Sequence, residues 1–210
     1  QKDLNYYHRI LGVDKNISYN MFGSLTGRLS VNKGSFPIHS FPKQYRSAIK
    51  PHNDWFVKFD INAAELRTSL ALLNKHQPDG DLYEWLGKSI LGNVSRSETK
   101  KIIIEWLYDS RNPAYQQYAQ KLDEVFEKEK LKNNYYIDGF INTPYGRKIE
   151  SDDHHAISYL NQSTFIDLFH RHVLDVYDFL SDKKSFIAFL LHDELVLDMT
   201  DDEKIGRAHV

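Results

Sequence analysis

The stretch Phe56–Arg67, FVKFDINAAELR, changes character at its middle. Its first four residues are mostly apolar and β-prone, which favours a buried strand. From Ala63 to Leu73, apolar residues recur three and four positions apart, the spacing of one face of an α-helix. The sequence therefore predicts that a buried strand ends at Asp60 and passes directly into a helix, which leaves the Asp60 carboxylate exposed at the junction.

A second carboxylate occurs in a similar setting far downstream. Residues Ser185–Met199 read SFIAFLLHDELVLDM, two apolar runs separated by HDE at 192–194. The run Phe186–Leu191 is typical of a strand buried on both faces, and the charged pair after it predicts a β-hairpin tip. If this hairpin lies beside the first strand, Asp60 and Asp193 converge, and a divalent cation suits that place. Either Asp alone is more often a cap or turn former.

The composition excludes several function classes. The chain has 210 residues and is 41% hydrophobic, enough for the core of one large or two small domains. The absence of cysteine excludes disulfides and thiolate metal sites, and it fits a reducing compartment. No apolar run is long enough to span a membrane. A net charge of −2 is no overall nucleic-acid signature, so such contacts must come from local clusters.

Both ends of the sequence look cut. The chain starts at Gln1 inside patterned sequence, and its last six residues, IGRAHV, resemble a translated sequencing adapter. We therefore expect residues 205–210 to be a cloning or assembly scar, with a natural tail as the alternative.

A basic helix is predicted over SRSETKKIIIEWLY, Ser95–Tyr108. Ser95 is a candidate N-cap, with Glu98 three residues on as in a capping box. Two cations, an apolar residue and an aromatic share one face, which suits a triphosphate at one end and a base at the other: Arg96, Lys100, Ile104 and Tyr108. The alternative is a solvated basic edge on a helix that packs through its isoleucines and Trp106.

Other stretches supply weaker signals. SLTGRLS at 24–30 suits a tight, exposed backbone carrying Arg28, and residues 5–11 are modestly helical. An amphipathic helix at 118–126 is followed by a charged run, and 136–150 predicts a hairpin that turns at TPYG. A long helix from about His155 to Leu180 has Gln162 near its start, where that side chain could project into a cleft.

Taken in order, six motifs resemble those of family A DNA polymerases, the group of bacterial DNA polymerase I and its phage relatives: TGRLS (Thr26–Ser30), FDINAAELR, SRSETKKIIIEWLY, TPYGRK, NQSTFID (Asn161–Asp167) and LHDELVL. The resemblance covers roughly Ser24 to Asp202, and the Gln162 segment is closer to phage-type members. It implies an α+β right-hand fold truncated at both ends, with an antiparallel palm sheet and helical fingers. The palm corresponds to residues 1–65 and 153–204 and the fingers to 66–152, with the thumb and any exonuclease domain outside the chain.

The resemblance also implies the chemistry. Two Mg²⁺ ions are expected on Asp60, Asp193 and the Ile61 carbonyl, and they support phosphoryl transfer to a primer 3′-hydroxyl. Lys100 is placed to protonate the departing pyrophosphate. Arg96 and Lys100 are expected to bind the triphosphate. Ile104 is expected to face the sugar, Tyr108 to stack near the template position, and Glu65 to exclude a ribose 2′-hydroxyl. Contacts to the primer end and the minor groove are expected from Arg28, Gln162 and His192.

The chain departs from the family pattern at several places: Glu105 and Asp109 replace glycines, Ile61-Asn62-Ala63 replaces a Tyr-Ser-Gln-like run, His39 replaces a Gln and Ser158 an Asn.

The expected partners are primer-template DNA, dNTPs and replication accessory proteins, with no membrane. The expected location is the cytoplasm of a bacterial or phage-infected cell. Two alternatives are a related single-subunit RNA polymerase, against which Glu65 argues, and a non-catalytic nucleic-acid-binding remnant. Without a thumb, the fragment is expected to bind DNA weakly.

Overall fold

The computed structural model of the chain describes residues 15–108 and 112–203. These residues form antiparallel sheets and α-helices, which confirms a mixed α+β class. The chain divides into two compact units: unit 1 comprises residues 1–61 and 168–210, and unit 2 comprises residues 62–167. The palm and fingers boundaries stay a prediction. The predicted helix at residues 5–11, Asp109 and residues 205–210 lie outside the described residues.

Every strand pairing in the described part of the chain is antiparallel. Unit 1 has a ribbon of β1 and β2 and a sheet of order β3-β8-β7, and unit 2 has a sheet of order β4-β5-β6. The strands in chain order are β1 Tyr19–Asn20, β2 Ser30–Val31, β3 Trp55–Asp60, β4 Tyr136–Ile137, β5 Phe140–Asn142, β6 Lys148–Glu150, β7 Phe186–Leu191 and β8 Glu194–Met199.

The α-helices belong mainly to unit 2. In chain order they are α1 Ala64–Leu72, α2 Leu82–Ser89, α3 Arg96–Leu107, α4 Pro113–Gln116, α5 Ala119–Phe126, α6 Lys128–Tyr135 and α7 Ala156–Phe179. Helix α7 begins in unit 2 and ends in unit 1. Among residues 15–108 and 112–203, no helix has both the length and the apolar character that crossing a bilayer requires.

The sheet of unit 1 confirms the predicted hairpin and corrects the predicted burial. Strands β7 and β8 pair on either side of the HDE turn, with β8 in the middle of the sheet. From Leu195 to Met199, β8 is buried, whereas β7 is an edge strand in which Leu191 is the one buried residue. Strand β3 is the other edge and is largely exposed. The expectation that β3 and β7 are buried strands is wrong, because an edge strand has a neighbour on one side only, whatever its apolar content.

Unit 2 has a continuous apolar core. The predicted face of α1 is confirmed, since Leu66, Leu70 and Leu73 are all buried. The charged run after α5 proves to be a helix of its own, α6, which contributes Leu131 to this core. Fully buried side chains from α2, α3, α5, α6 and the β4-β5-β6 sheet complete the core: Leu82, Leu86, Ile102, Ile103, Leu122, Phe126, Leu131 and Ile141.

The segment 136–150 contains more strand than the sequence analysis predicted. The expected hairpin at TPYG is confirmed by the pairing of β5 with β6. A second hairpin joins β4 to β5 through Asp138 and Gly139, whose φ angles are 53° and 79°. Both angles are positive, as a two-residue Asp-Gly hairpin turn requires.

Candidate active site

The carboxylates of unit 1 lie at one end of the β3-β8-β7 sheet. The register places Asp60, the last residue of β3, directly opposite Glu194, the first residue of β8. Asp193 immediately precedes Glu194 in the turn, so it lies at the same end of the sheet as Asp60. Asp60 is exposed and Asp193 is half-buried. The sheet therefore brings the two positions together at a place that solvent reaches.

Side chains beside this turn alter its charge. Glu194 forms an ion pair with Lys58, whose Nζ lies 2.5 Å from Glu194 Oε1. The pair offsets the Glu194 charge at this end of the sheet. The described residues contain no group of three or more His, Asp or Glu side chains placed to hold a metal.

Two residues that the sequence analysis did not assign to the site hold the turn in place. The Tyr19 hydroxyl donates to Leu190 O (2.7 Å) and accepts from Leu190 N (2.9 Å). His39 Nε2 lies 3.3 Å from Leu190 O, and the His39 and His192 ring centroids are 4.4 Å apart. Burial, and then the His192 charge, lower the pKa of His39. These contacts fix the end of β7 from which the His192–Asp193 turn departs.

The TGRLS segment also belongs to unit 1. Gly27 has a φ of 83°, and its N–H donates to Ser24 O at 3.3 Å, so a tight turn is present as predicted. Thr26 and Gly27 are buried, however, whereas Leu25 is 66% exposed and Arg28 is half-buried. The expectation of an exposed backbone at Gly27 is wrong, because this part of the turn packs into the unit.

The basic helix of unit 2 is α3. Ser95 Oγ accepts from Glu98 N at 3.3 Å, which confirms the predicted N-cap. The Glu98 carboxylate instead contacts Lys101 Nζ at 3.2 Å. The packing face contains the predicted residues Ile102, Ile103 and Trp106, all buried. On the opposite side Arg96 and Lys100 are exposed, and Ile104 and Tyr108 are 45% and 44% exposed. The four predicted site residues of this helix therefore share an accessible face.

Arg96 is held by neighbours that the sequence analysis missed. Its Nε and Nη2 both lie 2.8 Å from Asp81 Oδ2, and its guanidinium lies over the Tyr83 ring, 5.7 Å from the centroid. Lys100 Nζ is 5.9 Å from the same centroid. Burial acts to raise the pKa of Asp81, but hydrogen bonds from Arg96 and Glu84 N outweigh it, so that pKa lies below its ordinary value. Burial, and then the Glu65 charge, raise the pKa of Tyr83.

Two further predicted residues meet in unit 2. Gln162 Nε2, on α7, donates to Glu65 Oε1, on the first turn of α1, at 3.3 Å. Helix α1 starts after Ala63, a non-glycine residue with a φ of 53°. The structure thus pairs the residue expected to exclude a ribose with one expected to contact DNA.

Comparison with known proteins bears on the fold. No protein-family model and no curated protein matches the chain. Among solved structures, the chain is similar to the POL domain of Pol1 from M. smegmatis, in complex with DNA primer-template and dNTP, with a TM-score of 0.70 and 15% sequence identity. The fold of the chain therefore resembles that of part of a DNA polymerase domain. The alignment covers 95% of this chain and 45% of that one, so the chain spans less than half of the polymerase it matches.

The predicted site residues fall into two groups, one in each compact unit. Unit 1 carries Asp60, Ile61, His192 and Asp193 at one sheet end, with Arg28 on a separate turn. Unit 2 carries Glu65 with Gln162, and Arg96, Lys100, Ile104 and Tyr108 along α3. Their catalytic and binding roles stay predictions. Asp81 and Tyr83 were missed because only a cap signal, Asp81 three residues before Glu84, marks them in the sequence.

Proposed function

We propose that the chain is the nucleotide-adding part of a template-directed DNA polymerase of the family A type. The observation that carries this proposal is the pairing of β3 with β8, which sets Asp60 beside the Asp193 turn in a chain with a polymerase-domain fold. The reaction is addition of a deoxynucleotide to a primer 3′-hydroxyl, with release of pyrophosphate.

The residues at the turn fit a pair of Mg²⁺ ions. Mg²⁺ prefers oxygen ligands and keeps open positions for substrate phosphates, so two aspartates with the carbonyl of Ile61, a residue that is 45% exposed, form a sufficient protein donor set. When bound there, Mg²⁺ supplies Lewis acidity, which lowers the pKa of the 3′-hydroxyl and offsets charge on the transferring phosphoryl group.

We assign triphosphate binding to the basic end of α3. Asp81 occupies two of the five N–H donors of Arg96, and the other three can bind phosphate oxygens, because 49% of the Arg96 side chain is exposed. Lys100 lies one helical turn further on and is also exposed, so its ammonium can donate a proton to the departing pyrophosphate.

Selection among nucleotides is assigned to three side chains of unit 2. The exposed Tyr108 ring at the end of α3 offers a stacking surface for a base, and Ile104 offers an apolar contact for the sugar one turn earlier. Glu65, hydrogen-bonded to Gln162, is proposed to occupy the space that a ribose 2′-hydroxyl needs. This arrangement favours dNTPs over NTPs.

DNA contact is assigned to Arg28, Gln162 and His192. Each bears a side chain able to donate hydrogen bonds, and none is fully buried. The minor groove presents nearly the same acceptors for every base pair, so such donors can test the shape of a pair without reading its sequence.

The substitution Asp193→Asn in the full-length protein tests the proposal. We expect Mg²⁺-dependent primer extension to fall by about 10²–10³-fold or more, because the variant lacks a charge that the transition state needs. The fold should be unchanged, since Asp193 lies in a turn and is only half-buried. Asp178→Asn, an exposed carboxylate on α7 in the same unit, is the matched control. Near-normal extension by Asp193→Asn would remove the proposed mechanism.

A further inference from the structure

Asn62 links the segment after Asp60 to the start of helix α2. Its Nδ2 donates to Asp81 Oδ2 at 2.8 Å, and its Oδ1 accepts from Leu82 N at 2.9 Å. Since both ends of its side-chain amide are used, Asn62 ties its own segment to the start of α2.

Asp81 joins three segments through one carboxylate. Its Oδ1 accepts from Glu84 N at 3.0 Å and so caps α2, while its Oδ2 accepts from both Asn62 and Arg96. The side chain of Asp81 is 25% exposed, so these partners replace most of the water around it. A carboxylate with so many donors has one strongly preferred orientation.

The loop that carries Asp81 is itself fastened by Arg67. The Arg67 guanidinium donates to Pro78 O at 3.1 Å and to Gly80 O at 2.7 Å, and its Nε donates to Asn62 O at 3.0 Å. Arg67 therefore fixes the backbone on both sides of the Asn62–Asp81 contact. Asp81 therefore sits on a hydrogen-bonded loop and can orient a long side chain such as that of Arg96.

We propose that Asn62 and Asp81 are positioning residues that hold Arg96 in the orientation that binds the triphosphate. This inference rests on the proposed function of Arg96. Both residues act through the Arg96 guanidinium and not by contact with the nucleotide. The guanidinium donates to Asp81 from one edge, and the Tyr83 ring packs against one of its faces. Ordering a long side chain on binding costs up to about tenfold in affinity, and a pre-ordered Arg96 avoids that cost.

Kinetics of the full-length protein test the proposal through the KM for dNTP and kcat. Asp81→Asn keeps an N-cap oxygen but removes the charge, and we expect KM to rise about 3–10-fold with little change in kcat. Asn62→Ala should act in the same direction and less strongly. In an Arg96→Ala background, Asp81→Asn should have no further effect, because its influence passes through Arg96.

Glu84→Gln is the matched control. The hydrogen bond to Asp81 is the main cause that raises the pKa of Arg96, and the Glu84 charge acts in the same direction. The Glu84 carboxylate forms an ion pair with Lys88 at 3.6 Å. If removing any nearby negative charge were enough, this variant would change KM as Asp81→Asn does, and the inference would be wrong. A lower KM in Asp81→Asn would also overturn it, since Asp81 would then compete with phosphate for Arg96.

A structural readout separates failure of the inference from failure of the proposed function. Hydrogen exchange of the Arg96 Nε–H, followed by ¹⁵N NMR, should be slow in the parent protein and accelerate in Asp81→Asn and Asn62→Ala. Unchanged exchange in both variants overturns the positioning role. If exchange responds as expected but Arg96→Ala leaves KM unchanged, the proposed role of Arg96 in nucleotide binding is the part that fails.

Discussion

The two candidate regions are positioned by different forces. In unit 1, Asp60 and Asp193 come together through the backbone register of β3 and β8. In unit 2, Arg96 is oriented by side chains, above all by Asp81, which lies 15 residues earlier. A position set by backbone pairing tolerates changes in the side chains around it. A position set by side-chain hydrogen bonds is sensitive to each of its partners, and the following predictions test this contrast.

The largest expected effects distinguish the two regions, since substitutions in unit 1 should lower kcat and substitutions in unit 2 should raise KM. Asp60→Asn should reduce kcat for primer extension by about 10²–10³-fold or more, because it removes charge stabilisation of the transition state. Arg96→Ala should act mainly on the KM for dNTP, by about 10–100-fold, as expected for hydrogen bonds to a charged group. Steady-state extension with varied dNTP measures both. A dominant KM effect in Asp60→Asn would contradict the assignment.

Glu65→Ala should loosen the choice of sugar. Without this side chain, we expect discrimination against ribonucleotides to fall by about 10–100-fold, since nothing then fills the 2′-position. Competition between dNTP and NTP in primer extension measures the ratio. Gln162→Ala should act in the same direction with a smaller effect, because Gln162 works through its bond to Glu65. Unchanged discrimination in Glu65→Ala would mean that another residue excludes the ribose 2′-hydroxyl.

Lys58→Met tests the tolerance expected of unit 1. It removes the partner of Glu194 at the carboxylate turn, but Lys58 is 53% exposed and its ion pair is largely screened by solvent. We expect kcat to change by less than about threefold, because the register, not this pair, sets the positions of the aspartates. A loss comparable to that of Asp60→Asn would mean that side-chain charge, not backbone pairing, organises the turn.

The smallest expected effect is a pH dependence of unit 1. Glu203 accepts from Lys184 N and Ser185 N just before β7. The hydrogen bond from Lys184 N, followed by those from the side chain and the backbone of Ser185, lowers the pKa of Glu203 to about 2. Since the folded pKa lies below the ordinary value of 4.5, the stabilisation is complete above about pH 4.5 and is lost as pH falls towards 2.

Thermal unfolding is measured between pH 7 and pH 2.5. As the pH falls, the unfolding temperature should decrease less in Glu203→Gln than in the parent protein. Asp202→Asn, an exposed neighbour, is the control. An equal decrease in unfolding temperature at low pH for Glu203→Gln and the parent would show that these hydrogen bonds do not contribute to stability.

Several features could be predicted because they depend on local patterns. Helical spacing marked the buried face of α1, Ser95 marked the start of α3, and the HDE tripeptide marked the β7–β8 turn. The Asp138-Gly139 turn carried an equally local signal that the sequence analysis did not use. It is typical of a two-residue hairpin, so β4 was predictable in principle.

Other features could not be predicted because they depend on neighbours distant in sequence. Apolar composition suggested that β7 is buried, but its place at the edge of the sheet leaves Phe186 41% exposed. The hydroxyl of Tyr19 meets Leu190 across 171 residues, and no pattern near Tyr19 indicates that contact.

By itself, the sequence determined which segments become helices and turns and which residue types are available for chemistry, because helix periodicity, caps and hairpin signals act over a few residues. The tertiary structure alone decided which carboxylates share a sheet end, which strands lie at edges and which side chain orients Arg96. These outcomes follow from strand register and long-range packing, because the position of each residue then depends on contacts with residues distant in sequence.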